Sequence, residues 1–162
     1  MSDDGLVIRR LATADRSALA QLPTRVSPRS AIMRFHGALT SLSEPLLDRL
    51  VDLEDGLREA VVAIDGADIV GVARFVRDST QSETAEMAIL VADDWQHRGV
   101  AQALVQPLIE SAVTGGIRRF RGDMLAENLA ARHFMSGLGP IVDQQVAEGH
   151  LVVTVEISAP GA

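Results

Sequence analysis

Cysteine is absent from this 162-residue chain, and so are lysine and tyrosine. The first absence excludes disulfides, thiolate metal sites and a cysteine nucleophile. The second excludes a Schiff-base lysine, since all 15 basic residues are arginine. The third excludes a tyrosine proton donor. Aromatic residues are scarce at 3%, and the net charge is −7. Binding nucleic acid by charge and stacking needs the opposite composition, so nucleic acid is not an expected partner. An acidic chain suits a cationic ligand better. No apolar run approaches the eighteen or so residues of a membrane span. The polar, acidic start, Met1 to Gly5, is unlike a secretory signal. The expected location is therefore cytoplasmic, with no membrane partner.

What the chain does have is apolar mass. Hydrophobic residues make up 47%, enough to fill a core, and the length matches a single domain over residues 1–162. Leu6 to Leu11 reads as a strand, and Thr13 to Leu22 as a helix with Thr13 at its N-cap. Further helices are expected over Arg29 to Ala38 and from Ser43 to about Leu53, with Gly56 as the stop. Glu59 to Ile64 and Asp68 to Val76 read as strands joined by an Asp65-Gly66 hairpin turn. Ala85 to Val91 is the next strand, with Glu86 sharing a face with Ala88 and Leu90. Apolar residues at 100, 104, 105, 108, 109 and 112 give a helix from Gly99 to about Val113. Pro107 should kink it or open one hydrogen bond. Ile117 to Leu125 reads as a strand and Asn128 to Leu138 as a helix. Two last strands follow, Ile141 to Val146 and His150 to Ile157, turning at Glu148-Gly149. His150 to Ile157 is a candidate exposed edge through which a homodimer could pair. The order implies an α/β fold.

The most informative stretch is Val91 to Leu104, where a strand ends, a polar loop follows and a helix starts at a glycine. The first N–H groups of a helix lack internal partners, and the macrodipole adds positive character there. Gly99 has no Cβ, Ala101 is small and Arg98 brings fixed charge. Together these suit a diphosphate, although the same glycine would also serve a plain strand-to-helix turn. The loop is neither a Walker P-loop nor a dinucleotide fingerprint. The four histidines, His36, His97, His133 and His150, have no metal-ligand spacing, so no metal is expected. No serine sits in a G-x-S-x-G frame. Trp95 reads as loop packing.

Gln96-His97-Arg98-Gly99-Val100-Ala101 matches the Q/R-x-x-G-x-G/A signature, and the chain resembles the GCN5-related N-acetyltransferase (GNAT) family over roughly Leu6 to Ile157. The segments AEMAILVADDWQHRG, SPRSAIMRF and Met124 to Asn128 are similar to the acetyltransferase domain of the mycobacterial protein lysine acetyltransferases. The resemblance implies a mixed, mostly antiparallel central sheet with splayed strands and flanking helices. It implies acetyl-CoA as cosubstrate, its pyrophosphate on the backbone of His97, Arg98, Gly99, Val100, Ala101 and Gln102 beside Gln96. The pantetheine arm would pair with Ile89, Leu90 and Val91, and Asn128 would reach the cofactor from the following helix. The acceptor would be a protein lysine or a small-molecule amine, and Arg34-Phe35 lies where the fold commonly builds its pocket.

An amine with a pKa near 10.4 costs about 4–5 kcal/mol to deprotonate at pH 7, so a base is useful. Glu86, a charge within an apolar strand, is the expected general base, with Glu83 as fallback. The tyrosine that many members use as acid is replaced by Met135. A thiolate with a pKa near 8.5 can leave unprotonated for about 2 kcal/mol, or His133 could supply a proton. The missing tyrosine and Pro107 leave a second reading open, a non-catalytic acyl-CoA-binding regulatory module.

Overall fold

The computed structural model describes residues 5–26 and 44–158. The expected helix over Arg29 to Ala38, the Arg34-Phe35 pair and the Ser43 cap lie outside them. Among the described residues, seven strands form one sheet. They are β1 (Leu6–Arg10), β2 (Arg58–Asp65), β3 (Asp68–Arg77), β4 (Thr84–Val91), β5 (Arg119–Leu125), β6 (Ile141–Ala147) and β7 (His150–Glu156). Their spatial order is β1-β2-β3-β4-β5-β7-β6. Every neighbouring pair is antiparallel except β4 with β5, which is parallel. The helices are α1 (Arg16–Gln21), α2 (Glu44–Val51), α3 (Val100–Thr114) and α4 (Leu129–Ser136).

Local chemistry explains most boundaries. At the β2–β3 turn Gly66 has φ +64°, the left-handed conformation that a tight hairpin requires. The β6–β7 turn uses two such residues, Glu148 and Gly149. α3 runs unbroken through Pro107, because six buried side chains hold it to the core, Leu104 and Leu108 among them. Gly71 interrupts the β pattern of β3 for a packing reason. A Cβ there would lie 3.0 Å from Leu104 Cδ1 and 3.2 Å from Val100 Cγ1. Glycine lets α3 come this close to the sheet without Leu104 and Val100 having to shift. Phe75 and Phe120 meet on one face of the sheet with ring centroids 5.9 Å apart, and both are fully buried.

Three expectations need correction. The first helix is not capped by Thr13. A short 3₁₀ turn, Thr13–Asp15, precedes α1, and the Asp15 carboxylate reaches back to the Ala12 N–H at 2.7 Å while Arg9 grips it at 2.7 and 2.8 Å. α2 ends at Val51, before Gly56. The strand at His150 is not an edge. It lies between β5 and β6, which gives both rows of its backbone groups partners. The edge on this side of the sheet is β6, exposed along its whole length.

Gly139 sets the start of β6. A Cβ at this position would fall 1.8 Å from the Glu156 carbonyl oxygen, which is backbone and cannot rotate away. Gly139→Ala should therefore push β6 off β7. We expect a loss of about 1–3 kcal/mol, read as a drop in Tm of roughly 2–4 °C per kcal/mol for a chain of this size.

Candidate active site

The parallel pair at the centre of the sheet separates. β4 and β5 are in register only at Thr84↔Arg119, Ala85↔Phe120 and Glu86↔Arg121. Beyond Glu86, β5 stays with β7 as far as Leu125↔His150, and β4 stays with β3 as far as Gly71↔Val91. One edge of β4, from Met87 to Val91, therefore faces a wedge with no strand beside it. The side chains of Ile89, Leu90 and Val91 are buried, so what they offer to the wedge is backbone N–H and C=O.

The wedge runs into the loop between β4 and α3. Gln96 Nε2 donates to the Val91 carbonyl at 3.1 Å, tying the loop to the end of β4. His97 and Gly99, on either side of Arg98, both have left-handed backbone, with φ +60° and +81°. Such alternation turns successive N–H groups toward one side and makes an anion-binding concavity. A left-handed histidine is a strained residue, held here by the structure around it. Gly99 is the N-cap of α3, and the Ala103 N–H closes the first turn onto its carbonyl at 3.0 Å. The N–H groups of Val100, Ala101 and Gln102 thus have no acceptor within the helix. Apart from its chain neighbours and the backbone of its own helix turn, no described atom lies within 4 Å of where a Gly99 Cβ would stand, so no other part of the described fold blocks the approach to these groups. The Arg98 guanidinium lies over the Trp95 ring, 4.3 Å from its centroid, and donates to the Asp94 carbonyl at 3.3 Å. Trp95 is therefore a shelf for the cation as well as loop packing.

Asn128 is not on the face of α4 but at its N-cap, where its side-chain oxygen accepts the Ala131 N–H at 3.1 Å. Met135 is fully buried, so the position a tyrosine acid would occupy belongs to the core. His133 is exposed in the last turn of α4.

Glu86 is half-buried at the last row where β4 and β5 still pair. It shares its sheet face with Arg74 of β3, whose register partner is Ala88. Burial pushes the Arg74 guanidinium below its ordinary pKa; the charge of Glu86 opposes that, and Arg49 and Arg58 add to it. The half-buried carboxylate thus has a half-buried cation as electrostatic neighbour. Glu83 is exposed in the turn before β4, 3.9 Å from Arg119. Across the wedge, Asp123 of β5 and His150 of β7 pair at 2.9 Å. Neither Arg74 nor this pair was visible in the sequence, because cross-strand register brings them to the site. Stepping by two from Glu86 would have found only its own strand neighbours. Among the described residues no cluster of three metal-ligating side chains exists.

Residues 30–139 match the model of the acetyltransferase (GNAT) family. The chain is 33% identical over 143 residues to an acetyltransferase of Pseudomonas aeruginosa, covering 85% of this chain and 76% of that one. It is 32% identical over 140 residues to acetyltransferase Pat of Mycolicibacterium smegmatis, covering 85% of this chain and 41% of Pat. The chain thus spans less than half the length of that relative. Among solved structures, the GNAT domain of S. lividans PAT superposes with a TM-score of 0.79 at 26% identity, over 93% of this chain and 89% of that domain. The protein yncA of Salmonella typhimurium, solved with its cofactor acetyl-CoA, gives 0.73 at 16% identity over 98% of each chain, a likeness of fold alone.

Proposed function

The chain belongs to the acetyltransferase (GNAT) family, and from that premise we propose that it transfers an acetyl group from acetyl-CoA to a primary amine, with Glu86 as general base. One observation carries this reading. The unpaired edge of β4 leads directly into the left-handed cradle at His97 and Gly99. A ligand that joins an extended amide-bearing arm to a diphosphate fits both halves at once. The extended arm adds to β4 as a strand would. The diphosphate meets the N–H groups at the start of α3, with Arg98 beside them. Asn128 contributes by fixing the start of α4 next to the wedge.

Acetyl-CoA supplies an acyl group activated as a thioester. The residues of this chain do the rest. Backbone N–H groups of the Leu90 region polarise the carbonyl oxygen. Glu86 takes the proton that the attacking nitrogen must lose, directly or through one water. The new bond is nitrogen to carbonyl carbon, the broken bond is carbon to sulfur, and the sulfur leaves with the electron pair. Buried Met135 offers it no proton, and none is needed near neutral pH for more than about 2 kcal/mol. The acceptor is a protein lysine or a small amine, met on the sheet face that carries Glu86.

The direct test is thiol release from acetyl-CoA over a panel of proteins and small amines. The chain has no cysteine, so a thiol reagent reads only the released coenzyme. Release that depends on the amine supports the reading. Binding of acetyl-CoA with no release for any amine favours a non-catalytic acyl-CoA-binding module. Absence of binding overturns both.

The Arg98–Trp95 stack gives a smaller prediction. Trp95→Ala frees the guanidinium from its shelf, and an exposed stack of this kind contributes about 0.5–1 kcal/mol. The Kd for acetyl-CoA should rise roughly two- to fivefold, and Trp95→Phe should restore most of it. Isothermal calorimetry at low and moderate salt reads both.

A further inference from the structure

An open groove of about 610 Å³ lies on the sheet where β4, β5, β7 and β6 run side by side, lined by Gln81, Thr84, Arg119, Arg121, Asp143 and Thr154 among others. Thr84 is two residues before Glu86 on β4, so the two side chains stand on the same face. The groove therefore continues that face away from the wedge. Its charges are unevenly satisfied. Arg121 is bonded to Asp78 at 2.9 Å. The Asp78 carboxylate also takes the Thr80 and Gln81 N–H groups and the Thr80 hydroxyl, and these bonds hold it far below the usual carboxylate range. That pair is closed on itself. Asp143, on the outer strand, accepts from Gln145. Among the described residues, the Arg119 side chain has only Glu83 at 3.9 Å, too long for a hydrogen bond. The fourth feature is Thr84, which is 2% exposed and whose buried hydroxyl has no hydrogen-bond partner among the described residues. A buried hydroxyl left unpaired is costly, and such groups mark places where a ligand or water completes the set.

We propose that this groove is the distal half of the acceptor site and that it selects an amine whose far end carries a carboxylate, held by Arg119 and the Thr84 hydroxyl. The inference rests on the acetyl-transfer reading above, which puts the reacting nitrogen at Glu86. Thr84 and Glu86 are about 7 Å apart along the strand, the span of a chain of five methylenes. The acceptor class is therefore a small ω-amino carboxylate. Amines that end in an apolar or cationic group would leave Arg119 with only the distant Glu83 carboxylate and Thr84 without a partner.

The test compares 6-aminohexanoate with 6-aminohexanamide and hexylamine as acceptors for the intact chain with acetyl-CoA. The carboxylate should be preferred by at least about tenfold in kcat/KM, the discrimination expected when a built polar site loses its partner. Arg119→Gln should bring the ratio of acid to amide close to one. Thr84→Val should lower that ratio severalfold while leaving Tm unchanged or higher, because it removes an unpaired buried hydroxyl; a merely structural threonine would lower Tm and leave the ratio alone. Equal use of acid and amide would overturn the proposal and leave acetyl transfer standing. Should none of the three amines be acetylated, the product 6-acetamidohexanoate and its amide are titrated calorimetrically into the protein with coenzyme A. Binding of the acid alone, lost in Arg119→Gln, supports the groove assignment. No binding, or equal binding of both, overturns it. Failure to bind acetyl-CoA in the same instrument marks the acetyl-transfer reading itself as wrong.

Discussion

Glu86→Gln should lower kcat by about 10²–10³-fold, the lower part of the range that general acid–base groups contribute, with the Kd for acetyl-CoA unchanged. The loss corresponds to about 3–4 kcal/mol of barrier. It is smaller than the full cost of deprotonating the amine, because water can take the proton less efficiently. The sign of the pH effect follows. A base is needed most where the amine arrives as ammonium, below its pKa near 10.4. The deficit of the variant should therefore shrink as the pH approaches about 10. A glutamate that only held the strand in place would show the same deficit at every pH. Stability must be read alongside. Glu86 is the charge that opposes the burial penalty on Arg74, and removing it takes a favourable electrostatic neighbour from that guanidinium. A loss of about 1–3 kcal/mol in stability is the expected companion, so rates are compared well below the thermal transition. Glu86→Asp keeps the charge and shortens the reach. It should restore stability more than it restores rate.

How much of this was legible beforehand follows from the range over which each feature is determined. The hairpin turn, which falls on Gly66 and Ala67, one residue beyond the expected Asp65-Gly66 pair, the start of α3 at Gly99 and the alternation that puts Glu86 beside Ala88 and Leu90 are local, fixed within a few residues. Each is written in the sequence. The placement of β7 inside the sheet is not local. Leu151, Val153 and Val155 alternate with half-exposed or polar residues, and a strand with one buried face reads the same at an edge as in the interior. Asn128 was legible as a helix signal but not as the cap rather than the first turn, a difference of one residue. The Arg74–Glu86 relation depends on β3–β4 register across the 78–83 turn, and the Thr84 groove draws on four strands brought together only by the fold. Reading of the cofactor side is thus mostly sequence-local, and reading of the acceptor side is mostly topological. That division matches the chemistry. A diphosphate cradle can be built from one loop, whereas a pocket for a variable amine is assembled from distant strands.

Gly99→Glu should abolish measurable acetyl-CoA binding, raising Kd by 100-fold or more, about 2.7 kcal/mol at the least. Two effects add. A non-glycine residue at φ +81° costs about 1–2 kcal/mol of backbone strain. The new carboxylate also stands in the open approach to the first N–H groups of α3, where it would oppose a diphosphate by about 4 kcal/mol at 4 Å near a protein surface. The two are separable. Gly99→Ala carries the strain and a small Cβ but no charge, and should weaken binding by roughly tenfold. Gly149→Ala carries the same kind of strain, since its φ is +80°, at the β6–β7 turn and away from the cradle. It should lower Tm and leave Kd alone. If the three variants weakened binding equally, the effect would be one of general destabilisation. The graded order, glutamate far worse than alanine at 99 and no effect at 149, is what a site made of backbone N–H groups requires. Salt gives the final discrimination. Raising ionic strength screens a surface carboxylate, so part of the Gly99→Glu deficit should be recovered at high salt, while the Gly99→Ala deficit, being strain, should not move.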